Sequence, residues 1–96
     1  MEESLVIHPR VAFQQVEDGF FVITPDNALH QLRDEVAIVI WQALDQGPQK
    51  VAELVDAICE QFDVSPERAE TDLKEFVQEG LKRGLISEKN EQNKEG

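Results

Sequence analysis

The order of apolar and polar positions divides the chain near residue 33. Over residues 11–32 the apolar side chains come in short runs separated by turn signals. The first run, Val11-Ala12-Phe13-Gln14-Gln15-Val16, is followed by Glu17-Asp18-Gly19, where Asp-Gly supplies the positive backbone dihedrals of a tight hairpin turn. The second, Phe20-Phe21-Val22-Ile23-Thr24, is dense in β-branched and aromatic residues. It is closed by Pro25-Asp26-Asn27, a fixed-φ proline followed by Asx side chains that cap a turn. A weaker third run, Ala28-Leu29-His30-Gln31-Leu32, follows. Two tight turns in succession predict a three-stranded antiparallel meander.

Beyond Arg33 the spacing becomes helical. Asp34 suits an N-cap for a helix over residues 35–44, in which Val36, Ile40 and Leu44 share a face and Ile38, Val39 and Trp41 widen it nearly all round. Val36-Ala37-Ile38-Val39-Ile40-Trp41 alone also fits a buried strand; the Asp34 cap, the length and the Gly47-Pro48 stop favour a helix. A helix apolar on most sides belongs at the centre, touching sheet and neighbours together. A second helix is predicted over 51–62, with Val51, Leu54, Val55, Ile58 and Phe62 inward. A third opens at Ser65-Pro66, an N-cap serine before a proline whose missing N–H costs nothing at the first helical position. Its stripe is Ala69, Leu73, Phe76, Val77, Gly80 and Leu81. Lys82 and Arg83 complement the carbonyl end of the dipole, and Gly84 suits a left-handed C-cap. Leu85-Ile86 then returns to the core as a short extended piece.

Residues 87–96 contain no apolar side chain and are expected to form a disordered polar tail, since they bury nothing to offset ordering. Residues 1–8 are expected to be a flexible segment, leaving one folded domain over 9–86. Strands followed by helices make the fold class α+β, winged-helix-like, a three-stranded antiparallel meander followed by three helices.

Charge narrows the functional classes. Nine bases against 20 acids leave a formal net charge of −11, a surface that repels phosphate backbones and anionic headgroups. No nucleic-acid or membrane partner is therefore expected. The start of the chain has no signal-peptide pattern and no apolar run is long enough to span a bilayer, so the expected location is cytoplasmic. The single cysteine, Cys59, excludes an intramolecular disulfide and a multi-thiolate metal site, and reads as a small, half-buried helix residue. His30 has no acid or cysteine at ligand spacing, and His8, beside Pro9, receives no role. The carboxylates fall on outward helix positions, and no phosphate-binding loop, dinucleotide or nucleophile-elbow motif occurs. No catalytic residue, metal ligand or cofactor is expected.

Several landmarks recur together: Pro9-Arg10-Val11, Val22-Ile23-Thr24-Pro25 and Leu29-His30-Gln31-Leu32-Arg33-Asp34. They continue through Ile40-Trp41-Gln42-Ala43-Leu44-Asp45-Gln46-Gly47, Val51-Ala52-Glu53-Leu54-Val55, Phe62-Asp63-Val64 and Leu81-Lys82-Arg83-Gly84-Leu85-Ile86. In this order and spacing, residues 11–86 resemble the family of pyrroloquinoline quinone biosynthesis protein D (PqqD), also called the RiPP recognition element. One departure is Arg33, where members often carry asparagine before the first helix; the capping role then passes to Asp34.

The resemblance implies a non-catalytic peptide chaperone or adaptor. Members bind the leader of a ribosomally made precursor peptide and present its core to a modifying enzyme, often a radical S-adenosylmethionine protein. Pyrroloquinoline quinone is only one of the products such pathways make. The leader adds as a strand on the free edge of the third strand, beside the third helix. Carried over, the strand side of the peptide-binding cleft is Leu29, His30, Gln31 and Leu32, and the helix side is Leu73, Phe76 and Val77. Strand addition draws affinity from main-chain hydrogen bonds on an open sheet edge. The competing structural reading is an edge simply shielded by the third helix, with Leu73 and Phe76 plain core. The competing functional reading is a winged-helix DNA-binding regulator, which would need the third helix in a major groove. That helix carries Glu67, Glu70, Asp72, Glu75 and Glu79 against Arg68, Lys74, Lys82 and Arg83, too few cations to neutralise several phosphates.

Overall fold

The computed structural model describes residues 3–90. Its elements run β1 (Glu3–Ile7), β2 (Ala12–Val16), β3 (Gly19–Ile23), β4 (Leu29–Leu32), α1 (Glu35–Asp45), α2 (Val51–Gln61), α3 (Pro66–Arg83) and β5 (Ile86–Asn90). They form two sheets: a three-stranded antiparallel meander in the order β2-β3-β4, and a two-stranded antiparallel ribbon of β1 and β5. The α+β class and the meander before three helices stand as the sequence indicates.

Local chemistry sets the helix ends. The Asp34 carboxylate accepts the Ala37 N–H at 3.1 Å, and the Ser65 hydroxyl accepts the Arg68 N–H at 3.2 Å. Gly84 closes α3 in the left-handed region at φ 82°. The inner face of the meander places Phe20, Val22 and Leu32 against α1, whose Ala37, Ile40, Trp41 and Leu44 are buried. Leu54 and Ile58 of α2 and Ala69 and Leu73 of α3 complete this core. Trp41 is fully buried, with the Phe13 ring edge-on at 5.4 Å and Phe20 at 6.4 Å. Its indole N–H has no acceptor among the described residues, so Trp41 stabilises the centre by packing alone.

Gly19 shows why the first hairpin closes where it does. The Asp18-Gly19 turn was expected to exploit glycine's backbone freedom, and Gly19 indeed has φ 150°. A second constraint comes from the third strand: a Cβ at Gly19 would lie 1.8 Å from the Leu32 carbonyl oxygen. Glycine is needed for the close approach of β4 to β3 as well as for the turn.

The two ends of the chain differ from expectation. Residues 3–7, expected within a flexible segment, form β1, and residues 86–90, of which 87–90 were expected within a disordered tail, form β5; residues 91–96 lie outside the described residues. The register pairs Ser4 with Lys89, Val6 with Ser87 and Ile7 with Ile86. Polar residues such as Ser87 and Lys89 need bury little here, because the strand pairing satisfies their main chain while Leu5 and Ile86 supply the apolar anchor. The other edge of β1 is also occupied: Leu5 N–H donates to the Gln49 carbonyl at 2.7 Å, and Gln49 N–H donates back at 3.1 Å.

Candidate peptide-docking trough

β4 is an edge strand, paired with β3 on one side only. The Thr24 N–H donates to the Ala28 carbonyl at 3.0 Å, which fixes the alternation of the antiparallel ladder. Residues 28, 30 and 32 turn their main chain toward β3; residues 29 and 31 turn theirs outward. Among the described residues, no hydrogen bond takes up those outward N–H and C=O groups of Leu29 and Gln31. The edge carries neither proline nor lysine to discourage pairing.

The side chains follow the pleat. Leu29 is 64% exposed and Gln31 is exposed, both on the outer face of the sheet beside Ile23 and Phe21. His30 is half-buried on the inner face, its Nε2 3.4 Å from the Thr24 hydroxyl. That hydroxyl donates to the Asp26 carboxylate and holds Asp26 below its ordinary pKa, aided by backbone N–H groups and the nearby His30. Leu32 points into the core. On the strand side, therefore, Leu29 and Gln31 offer main chain to a newcomer, whereas His30 and Leu32 face the helix layer.

α3 packs chiefly on α2, β5 and α1. Over residues 68–79 of α3, Arg68, Asp72, Glu75, Phe76 and Glu79 face Asp34, Val36 and Ala37 at the head of α1 across a groove of about 480 Å3. At its end, Gly84 meets Pro25 in the β3–β4 turn, where an added Cβ would lie 3.7 Å from the proline ring. α3 thus approaches the segments that flank β4, the turn before it and the head of α1 after it.

The three residues expected on the helix side separate. Phe76 is half-buried and lines the groove, and Val77 is half-buried against the core. Leu73 is completely buried and presents no surface to the trough. Asp34, Val36, Asp72 and Glu75 line the groove without having been singled out as its lining. The signal for Asp72 and Glu75 is the 68-72-75/76-79 stripe of α3, which helical spacing reveals once the neighbouring element is known.

Electrostatically the groove is acidic, with four carboxylates around it and one guanidinium. Arg68 approaches Asp72 at 3.6 Å, and Glu79 accepts from Arg83 at 2.7 Å, which holds the Glu79 carboxyl below its ordinary pKa. Such a surface on α3 does not favour the DNA-binding alternative. Among the described residues there is no group of three or more His, Cys, Asp or Glu placed to hold a metal ion, and no helix long and apolar enough to cross a membrane.

The family model described as coenzyme PQQ synthesis protein D (PqqD) matches residues 28–86, which contain both β4 and α3. Among solved structures, TbiB1 in complex with the TbiA(beta) leader peptide is similar to this chain with a TM-score of 0.78 and 26% sequence identity; the match covers 85% of this chain and 94% of that one. No curated protein matches.

Proposed function

The chain belongs to the PqqD family, and on that premise we propose that it is a non-catalytic adaptor that binds the leader of a ribosomally made precursor peptide by strand addition to β4. The observation that carries this reading is the pair of outward-facing main-chain groups at Leu29 and Gln31, left without a partner among the described residues. A leader lying antiparallel or parallel there would complete the ladder. Every second side chain would then drop toward Phe76 and the head of α1. The similarity to TbiB1, a protein described in complex with a leader peptide, supports the same occupant.

An adaptor of this kind needs a second partner that performs chemistry on the peptide. The family resemblance points to a modifying enzyme, in many members a radical S-adenosylmethionine protein. A peptide newly released from the ribosome places the encounter in the cytoplasm. Leu29 and Gln31 provide the hydrogen-bonding edge, His30 and Leu32 fix the inner face behind it, and Phe76 and Val77 form the opposing wall.

Titrating candidate leader peptides into isotope-labelled protein and following amide shifts tests this reading. Shifts centred on residues 28–32, with weaker ones at Phe76 and Val77, are expected. Shifts confined to the helices and sparing the strand would overturn strand addition.

A further inference from the structure

We propose that the trough selects a leader segment with a basic side chain, which Glu75 reads beside an apolar side chain packed on Phe76. The inference rests on strand addition at β4 and adds the chemistry of the preferred strand. Several of the charges around the groove already have local partners. The Asp34 carboxylate caps α1 through Ala37, Asp72 lies against Arg68 at 3.6 Å, and Glu79 is held by Arg83 at 2.7 Å. Glu75 has no hydrogen-bond or ion-pair partner among the described residues, yet it lines the same groove as Phe76.

Placement makes Glu75, although exposed, a reader of sequence. Residues 68, 72, 75, 76 and 79 share one face of α3, the face turned to the head of α1 where β4 ends. A strand added to β4 would project alternate side chains onto that face, with neighbours on it about 7 Å apart. Past Leu32, one such position would meet the half-buried Phe76 ring and Val36, which line the groove; the next would bring a lysine or arginine toward the Glu75 carboxylate. An acidic side chain at that second position would face Glu75 and Asp72 together with only Arg68 to offset them. Net charge gives the same preference at long range, since a chain at −11 attracts cationic peptides and repels anionic ones.

The test uses three synthetic extended peptides of identical alternating apolar pattern, with lysine, glutamine or glutamate at a single inward-facing position. They are titrated into the full chain by amide-shift NMR. The lysine peptide is expected to bind about threefold more tightly than the glutamine peptide and about tenfold more tightly than the glutamate peptide at low salt, a gap that high salt narrows. Glu75→Gln should reduce the lysine advantage over glutamine to near unity. Glu70→Gln removes the same charge at a position paired only with Lys74, at 3.8 Å, and should leave that advantage intact. Equal affinities for the three peptides, with shifts at Leu29 and Gln31 present, would overturn the charge selection while leaving strand addition standing. Equal loss of selectivity in both variants would assign it to net charge and overturn the role of Glu75. Absence of shifts at Leu29 and Gln31 with every peptide, a candidate leader included, would remove the underlying docking reading, and this inference with it.

Discussion

The two sheets solve the edge problem in opposite ways. In the ribbon, β1 has partners on both sides, β5 along its length and the Gln49 main chain at Leu5. In the meander, β4 has β3 on one side and no strand on the other, as does β2 at the opposite edge. Both sheets join the same small core, and both are built from four- or five-residue strands. The difference teaches that strand edges are closed selectively: the chain completes β1 with its own C-terminal strand and the Gln49 main chain, and leaves β4, like β2 at the opposite edge of the meander, paired on one side only. An unpaired strand beside a groove offers a binding template, whereas the ribbon serves to tie the chain ends to the core.

The largest effect on this contrast should come from Gly19→Ala. The new methyl collides with the Leu32 carbonyl and would pry β4 from β3, costing about 3–5 kcal/mol in urea unfolding and abolishing peptide binding. Leu73→Ala follows, at about 2–5 kcal/mol, because its fully buried side chain leaves a cavity behind the trough. If Leu73 instead contacted peptide directly, binding would fall while stability held. A proline scan then compares the two edges. The ladder parity turns the Val6 N–H toward Ser87, so Val6→Pro should cost about 2–3 kcal/mol by breaking the ribbon. Gln31→Pro removes an N–H that no strand uses. It should cost less than about 1 kcal/mol yet weaken leader binding strongly.

Much of the meander and the helices was legible because their determinants are local. Asp34, Ser65-Pro66 and Gly84 set helix ends within one turn of themselves, and Pro25-Asp26-Asn27 closes a hairpin between adjacent runs. The ribbon was not legible, since it joins opposite ends of the chain and Ser87, Glu88 and Lys89 carry no apolar pattern. Leu73 and Phe76 show a second limit. Helical spacing puts both on the inward stripe, and only the position of α1 decides that one is core and the other groove wall. Glu75 reads as one more exposed acid until its neighbours across the groove are known.

The smallest effect concerns the turn that leads into β4. The hydrogen bond from the Thr24 hydroxyl, with lesser help from backbone N–H groups and His30, lowers the folded-state pKa of Asp26 beneath its unfolded value. Its contribution is therefore fully present above the ordinary carboxylate range and is lost as pH falls through the depressed folded value. Urea midpoints measured from about pH 5 down to pH 2 should fall slightly less for Asp26→Asn than for the parent chain. Because Asp26 is exposed, the difference should be small and should shrink in salt.

Hydrogen exchange at individual amides of β4 addresses the open edge directly. In the free protein the His30 and Leu32 amides, bonded to β3, should exchange slowly while those of Leu29 and Gln31 exchange fast; saturating leader peptide should then slow the fast pair. Protection of Leu29 and Gln31 before any peptide is added, or their continued fast exchange at saturation, would contradict the account.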